Sequence, residues 1–389
     1  MKLFTKISLL TSHILLLCIA THAQTIRIAD NNVIRPTGTN VYSTLQAAID
    51  AAQPDDIVYI TPSNTSYGNV TLAKRIALQG VGYNSGLGDR NSTLGTLNLT
   101  SSIDGVNSVS GSVLKGFSAS AITFTASGIG TPTFDNIVIE KVSTNYINVS
   151  SPATKEINNL IIRSVDATEI VFENTAGIKN SKIYNNAIAN LRLASSALTN
   201  NVIANNIFIT SLPYGYSVSI NSNGVANNTL LVNNIFSGSA SAFALLDGVT
   251  CSNNIFYGMN PTCVNTSFYF RNNNFSNNLI TSTTTMPPPA NGGGTNNGLG
   301  NLVGISPNFV SVANTIYSST YNYALSSGSP AKNAGSDGTD IGITGGLYPV
   351  ISNFAIYVPS ALPLITELNT SGVIPQNQPL KVNLKAKSN

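Results

Sequence analysis

A short asparagine motif returns four times between residues 180 and 256 and constrains the fold more than any other feature of the sequence. Each copy holds a short apolar stretch, then an Asn-Asn pair, then further apolar residues. The copies are residues 180–186, 200–208, 227–236 and 252–256. Ile183 and Ile203 are 20 residues apart, and Ile203 and Leu230 are 27 apart. A repeat of this length with one strand-sized core per copy is typical of a solenoid. Amide side chains can bond their copies on adjacent turns, so we expect asparagine ladders.

The motif aligns with two earlier segments, residues 136–140 and 159–163, and this alignment predicts two columns of stacked residues. Successive side chains of a strand point to opposite faces. The alignment predicts an inward column of Ile139, Ile162, Ile183, Ile203 and Leu230. It predicts an outward column of Val138, Ile161, Lys182, Val202 and Thr229.

The N-terminus has the organisation of a secretory signal peptide, residues 1–23. Lys2 and Lys6 precede an apolar run, and small residues lead up to a cleavage site near Ala23. The run is too short for a membrane span, and no later run is long enough. We therefore expect an exported protein, extracellular or at the cell surface, with no membrane span.

The mature chain is predicted to form one solenoid, residues 24–346, followed by a small β tail, residues 347–389. A cap helix is expected near 42–53, where Ser43 and Gln46 match a capping box and an apolar stripe follows. The Pro- and Gly-rich stretch 281–301 is expected to be a loop. Short strands with turn-length spacing of 20–27 residues favour an all-β, right-handed parallel β-helix over leucine-rich repeats or a propeller.

The sequence resembles the pectin-lyase-like superfamily of secreted right-handed β-helix proteins. The resemblance rests on residues 42–52 with the strand 57–60, on the asparagine turns, and on residues 325–346 with Ser329-Pro330-Ala331 and Asp340-Ile341-Gly342. It implies the β-helix fold over about 40–346. The superfamily includes lyases, hydrolases, esterases and non-catalytic surface proteins, so the resemblance does not assign a function. Neither paired-aspartate hydrolase motifs nor an acidic cluster with an adjacent Arg can be carried over.

The composition excludes several kinds of site. Both histidines, His13 and His22, lie in the signal peptide, so the mature chain has none for Ser-His-Asp or Cys-His catalysis or a conventional zinc site. Removing Lys2 and Lys6 lowers the formal charge from +3 to +1. Nucleic-acid binding needs clustered Lys and Arg, which this chain lacks.

The charged residues concentrate in residues 135–192, and catalysis, if present, is expected there. Elimination from a uronate polymer needs a base and a cation beside the carboxylate. Arg163 or Lys182 could supply the base or the cation, and Glu169 and Glu173 could hold Ca²⁺. The two glutamates would form a retaining glycosidase pair only if brought about 5 Å apart. The alternative is a solvated charged face, in which Glu140 and Arg163 on adjacent turns form a surface ion pair.

Three further sets of residues are candidates with structural alternatives. Tyr146 and Tyr184 could offer flat faces to sugar rings, or be ordinary surface tyrosines. Asp337 and Asp340 could bind Ca²⁺, and no other cofactor is expected, although their setting also suits a turn. Cys251 and Cys263 could form a disulfide in an exported protein, or be buried thiols.

The expected function is a glycan-associated binding or structural role without catalysis, with a polysaccharide or cell-surface glycan as partner. The absence of His and Trp, the charged fraction of 9%, and the amide-rich surfaces favour it. The alternative is a polysaccharide lyase acting on a uronate-containing polymer with the charged face of residues 135–192.

Overall fold

The fold is described from a computed structural model. The structure describes residues 24–82, 91–102, 108–127, 131–149, 155–195, 197–209, 215–221, 228–264, 269–350, 364–370 and 382–387. The predicted signal peptide lies outside the described residues. Within these ranges the chain is nearly all β, with a single helix, α1 (Leu45–Ala51).

The strands are short and follow each other along the whole chain. The first are β1 (Ile26–Ala29), β2 (Val41–Tyr42), β3 (Ile57–Ile60), β4 (Val70–Leu72), β5 (Ala77–Gly80), β6 (Thr93–Ser102), β7 (Val113–Lys115), β8 (Ser118–Ser127), β9 (Thr133–Asp135), β10 (Val138–Glu140), β11 (Ser143–Val149) and β12 (Glu156–Asn158). Next are β13 (Ile161–Arg163), β14 (Asp166–Thr175), β15 (Gly177–Lys179), β16 (Lys182–Tyr184), β17 (Ala187–Ser195), β18 (Leu198–Thr199), β19 (Val202–Ala204), β20 (Ile207–Ile209), β21 (Val218–Asn221), β22 (Leu230–Val232), β23 (Ile235–Ser237) and β24 (Ser241–Asp247). The last are β25 (Thr250–Ser252), β26 (Ile255–Tyr257), β27 (Asn260–Cys263), β28 (Phe270–Arg271), β29 (Asn274–Ser276), β30 (Leu279–Ile280), β31 (Leu302–Val303), β32 (Phe309–Ser311), β33 (Asn322–Leu325), β34 (Leu364–Thr370) and β35 (Val382–Lys387).

These strands form a parallel β-solenoid, as the sequence predicts. Strands of successive turns lie side by side, so that β10 pairs with β13, β13 with β16, and β16 with β19, all in parallel. Sheet A has 12 strands from β2 to β29. Sheet B has 15 strands: most form one row from β4 to β31, and β21, β24, β27 and β28 pair beside that row. Sheet C contains β9, β12, β15 and β18.

The register confirms most of the two predicted columns and corrects both at their last member. Ile139, Ile162, Ile183 and Ile203 stack inward, but the next inward residue is Leu231 and not Leu230. Leu230 therefore takes the outward position predicted for Thr229, which is fully buried. The prediction aligned the turns on the first asparagines of each copy. In the structure, it is the second Asn-Asn pair, after the short strand, that takes the same position on each turn.

That second pair divides two roles between adjacent asparagines. The first residue of each pair has a left-handed backbone, with φ near +55° at Asn185, Asn205, Asn233 and Asn253. Asparagine tolerates this conformation better than most residues, and it turns the chain between sheets A and B. The second residue forms the predicted ladder. Its buried members are linked Nδ2 to Oδ1 over 2.9–3.1 Å, and they are Asn186, Asn206, Asn234, Asn254 and Asn278, with Asn301 at the end.

The apolar pair after each ladder asparagine also divides its roles. Phe208, Phe236 and Phe256 point inward and stack in the core, with ring centroids 4.9 and 4.8 Å apart. The isoleucine before each phenylalanine points outward. These outward residues form one row on sheet B, which contains Ala187, Ile207, Ile235, Ile255 and Leu279.

The C-terminal segment, residues 305–350, covers this outward row. Tyr323, Leu325, Ile341 and Ile343 are buried against it. The left-handed asparagines of the same corner also bind the segment: Asn205 Nδ2 donates to the carbonyl oxygens of Ile343 and Gly345 over 3.0 and 2.7 Å. The segment therefore returns along the outside of the turns that precede it.

The N-terminal helix α1 has the buried stripe that the sequence predicts, but it begins one residue later. Leu45, Ala48 and Ile49 are buried. The N-cap is Thr44 and not Ser43, because the Thr44 hydroxyl accepts the backbone N–H of Ala47 over 3.2 Å. Gln46 bonds β4 instead, where its Oε1 accepts the backbone N–H of Thr71 over 2.8 Å. The apolar stripe determines the start of the helix, and Thr44 is the hydroxyl residue next to it.

Residues 281–301 have little regular strand, yet they form a last coil on the solenoid. The backbone N–H groups of Phe275 and Asn277 donate to the carbonyls of Asn297 and Leu299 over 2.7 and 2.9 Å. Gly298 permits this approach, since a Cβ there would lie 1.9 Å from the Phe275 carbonyl oxygen. Further along, β34 and β35 form an antiparallel hairpin, in agreement with the predicted β tail.

Candidate functional site

The outer face of sheet B between β6 and β21 is the candidate site. Along these strands the alternate residues, such as Leu97, Ile122, Ile147 and Ile170, are fully buried in the core. The others point outward and are mostly hydroxyl and amide residues. This outer face contains Thr96, Asn98, Thr100, Ala121, Thr123, Thr125, Tyr146, Asn148, Glu169, Val171, Glu173, Asn190, Arg192, Ala194, Ser219 and Asn221.

An arginine joins two glutamates in the middle of this face. Glu169 and Glu173 project from the same side of β14, and Arg192 lies opposite Val171, between them, on β17. Arg192 donates from Nη2 to Glu169 Oε2 over 3.0 Å, and its Nη1 lies 3.6 Å from Glu173 Oε1. The side chain of Glu169 is 9% exposed and that of Glu173 is 40% exposed. One carboxylate is therefore fixed in place and the other remains open to solvent.

Tyr146 lies directly beside this cluster. In the parallel register, Tyr146 on β11 is the partner of Glu169, and its other neighbour is Ala121. Tyr146 is 42% exposed. On the far side of Glu169, Asn190 donates from Nδ2 to the carbonyl of Tyr216 over 3.2 Å. The face thus presents an exposed aromatic ring next to a carboxylate–guanidinium pair.

The two predicted cations, Arg163 and Lys182, project from sheet A. Arg163 donates from Nε to Glu140 Oε2 over 2.7 Å, which confirms the predicted pairing, and from Nη1 to the Tyr184 hydroxyl over 3.1 Å. Burial acts to lower the pKa of Arg163, but the bonds to Tyr184 and Glu140 outweigh it and raise the pKa. Lys182 is exposed on β16 between Ile161 and Val202.

The structure thus separates the four catalytic candidates. Arg163 and Lys182 lie on sheet A, whereas Glu169 and Glu173 lie on sheet B, beyond the left-handed corner residue Ser164. The two predicted tyrosines are separated in the same way. Tyr184 stacks on Tyr348 of the C-terminal segment, with ring centroids 4.0 Å apart, so one of its faces is covered.

Asp337 and Asp340 take part in local turn hydrogen bonds. Asp337 Oδ1 accepts from the backbone N and the hydroxyl of Thr339 over 3.0 and 2.7 Å. Asp340 accepts from the Asn333 backbone and from the Thr344 hydroxyl, each over 3.0 Å. Among the residues that the structure describes, no three His, Cys, Asp or Glu side chains converge on a metal-sized site.

Two further ionisable groups are perturbed by burial. Asp166 lies at the start of β14, and burial raises its pKa. Burial also raises the pKa of the Cys251 thiol. Cys251 and Cys263 are not joined by a disulfide, so the structure contains the thiol alternative, with Cys251 buried and Cys263 partly exposed.

Arg192 is the site residue that the sequence reasoning did not select. It lies 23 residues after Glu169, which is the 21-residue offset between β14 and β17 plus two residues, so this spacing places it on the neighbouring strand and on the same face. The signal was present in the spacing. It requires the register of β14 against β17, because a shift of one residue would turn the guanidinium into the core.

Comparisons with known proteins add no family. No protein-family model matches the chain, and no curated protein matches it. Within the described ranges, none of the helical structure is long and apolar enough to cross a membrane.

Proposed function

We propose that this is an exported, non-catalytic glycan-binding β-solenoid, with its binding site on the outer face of sheet B around Tyr146. The observation that carries the proposal is the exposed Tyr146 ring beside the Glu169–Arg192 pair. A flat aromatic ring packs against the C–H face of a sugar, while ionised side chains accept and donate strong hydrogen bonds to its hydroxyls. The parallel solenoid with its N-terminal helix also supports a relationship to the pectin-lyase-like superfamily.

Binding fits the cluster better than hydrolysis does. A glycosidase needs one carboxyl group to give a proton to the leaving oxygen and a second to act on the sugar. Here one guanidinium contacts both Glu169 and Glu173, so an oxygen of each carboxylate is already engaged by Arg192 and not by a sugar. No observation favours the lyase alternative, since Arg163 and Lys182 project from sheet A.

The test compares glycan binding by the mature protein and by its Tyr146→Ala variant. A glycan array first identifies the glycans that bind, and titration calorimetry then measures their affinities. We expect Tyr146→Ala to weaken binding about tenfold, the effect of losing one aromatic contact of roughly 1.4 kcal/mol.

Tyr269→Ala is the matched control. Tyr269 is 49% exposed, similar to Tyr146, but the guanidinium of Arg271 covers its ring at 4.1 Å from the centroid. Its removal is expected to leave binding unchanged. Equal losses in both variants, or binding that survives Tyr146→Ala, would remove the support for this site.

A further inference from the structure

We infer that the outer face of sheet B binds a neutral, extended glycan chain that lies along the solenoid axis, and that it disfavours polyuronates. This inference rests on the proposed function and specifies its ligand. It follows from the charges on the face and from the direction of its polar rows.

The face has an excess of negative charge at the centre of the site. From β6 to β21 its outward charged side chains are Asp166, at the start of β14, and Glu169, Glu173 and Arg192. The single guanidinium is already shared by two carboxylates. A chain with a carboxylate on each sugar would bring further negative charge to Glu173, which is 40% exposed, and no cation on the face is left over to compensate it.

Nearby residues do not supply that cation. Lys155 is 1% exposed and so does not present its ammonium group to a ligand on the surface. Lys179 pairs with Glu156 on sheet C. Residues 103–107, 128–130, 150–154 and 196 lie outside the described ranges, and their sequences contain no Lys or Arg.

The polar rows give the direction of the chain. Asn98, Thr123 and Asn148 are consecutive partners on β6, β8 and β11, and Arg192 belongs to the same row two strands further. Neighbouring strands are about 4.8 Å apart, so this row offers donors and acceptors at regular steps along the axis. A ligand that contacts Tyr146 can extend over Thr123 and Asn98 without leaving the face.

Asn148 contributes an independent observation. Its Oδ1 has no hydrogen-bond partner among the described residues, although buried polar atoms are nearly always paired. Asn148 follows Tyr146 by two residues on the same side of β11. Because this oxygen is itself buried, the amide has to turn outward to accept from a sugar hydroxyl, and a neutral chain carries many such donors.

The experiment compares neutral and acidic chains of equal length. The mature protein is titrated calorimetrically with manno-, xylo- and cello-oligosaccharides from disaccharide to hexasaccharide, and with oligogalacturonates of the same lengths. We expect at least one neutral series to bind, with affinity that rises with length, and the uronates to bind at least about tenfold more weakly. Glu173→Gln, which removes the exposed carboxylate, is expected to narrow that difference.

Thr123→Val tests the direction of the chain, because it removes a hydroxyl while keeping the side-chain shape. We expect it to weaken hexasaccharide binding about three- to tenfold and to leave disaccharide binding unchanged. Thr250→Val, an outward threonine of sheet A, is the control.

The outcomes separate the two proposals. Uronates that bind as tightly as the neutral series, or affinity independent of length, would overturn this inference and leave the glycan-binding function standing. Failure of every glycan to bind would overturn the proposed function itself.

Discussion

Within each Asn-Asn pair, two identical side chains have different structural roles. In Asn233-Asn234, the first residue adopts φ +56° and bonds the C-terminal segment through Nδ2, to the carbonyl of Asp340 over 3.1 Å. The second is fully buried and links three turns. Its Oδ1 accepts from the backbone and side chain of Asn206, and its Nδ2 donates to Asn254 Oδ1 and to the Ile203 carbonyl. The ladder therefore satisfies backbone groups that the corner leaves without strand partners.

Replacing a ladder asparagine should be costly. Asn234→Ala leaves the buried N–H of Asn206 and the carbonyl of Ile203 without their partners, at about 1–3 kcal/mol for each group. We expect a loss of at least about 3 kcal/mol in the free energy of unfolding, measured by urea denaturation. Asn228→Ala is the control, because Asn228 is exposed, and it should lose under about 1 kcal/mol. Equal losses would contradict the structural role of the ladder.

For single residues, the sequence predicts the kind of interaction better than it predicts which residues take part. The repeated asparagines indicate a ladder and the spacing indicates the turn length. The one-residue error at Leu230 and the omission of Arg192 have a common cause. Both depend on strand register, which is fixed by which residues are buried together in three dimensions.

Two elements cover the solenoid: helix α1 at its N-terminal end and the C-terminal segment along one side. Helix α1 covers the N-terminal end, where Leu45 and Ile49 pack into the core. The C-terminal segment covers the outward row of sheet B. The helix was predictable from its apolar stripe, but the lateral position of the segment was not. Nothing in the local pattern of residues 305–350 shows that their partners are turns that precede them by about a hundred residues.

The helix cap gives a direct test of the corrected start. Thr44→Ala removes the hydroxyl that accepts the Ala47 N–H, and we expect it to cost about 1 kcal/mol of stability. Ser43→Ala, one residue earlier, should change stability by less than about 0.5 kcal/mol. The measurement is the urea midpoint of each variant. A larger effect at Ser43 would restore the capping box that the sequence suggested.

The C-terminal segment can be loosened without altering the corner that it binds. Asn205→Gly keeps the left-handed backbone but removes the amide that bonds Ile343 and Gly345. We expect faster hydrogen exchange at Ile341 and Gly342, with protection of the solenoid core unchanged, as measured by mass spectrometry. Asn185→Gly makes the same backbone change at φ +56°, where no bond to the segment is found among the described residues. It should leave this exchange unaltered.

At the scale of the whole molecule, stability depends little on charge. Most ion pairs among the described residues are at the surface, where each is worth about 0–1 kcal/mol. Asp56 differs because its side chain is fully buried. Burial acts to raise the pKa of Asp56, but the backbone N–H groups of Gln53 and Thr25, together with Arg27, outweigh it and lower the pKa below its ordinary value of 3.8.

This shift predicts how acid affects the fold. A carboxyl whose pKa is lower in the folded state stabilises the fold above its ordinary pKa, and that contribution is lost as the pH falls through the folded value. We expect the free energy of unfolding of the wild type to decrease below about pH 4, and Asp56→Asn to show a flatter profile. Asp55→Asn, on an exposed carboxylate paired with Arg75, should retain the wild-type profile.

The covered row of sheet B has a consequence for the order in which the molecule is completed. Translation proceeds from the N-terminus, so the coils through Leu279 are synthesised before residues 305–350 emerge. Until then Ile207, Ile235 and Ile255 form an aliphatic strip open to water along stacked strands. Any product that ends before this segment keeps that strip exposed and is prone to self-association. The C-terminal segment therefore protects from self-association the coils that are synthesised before it.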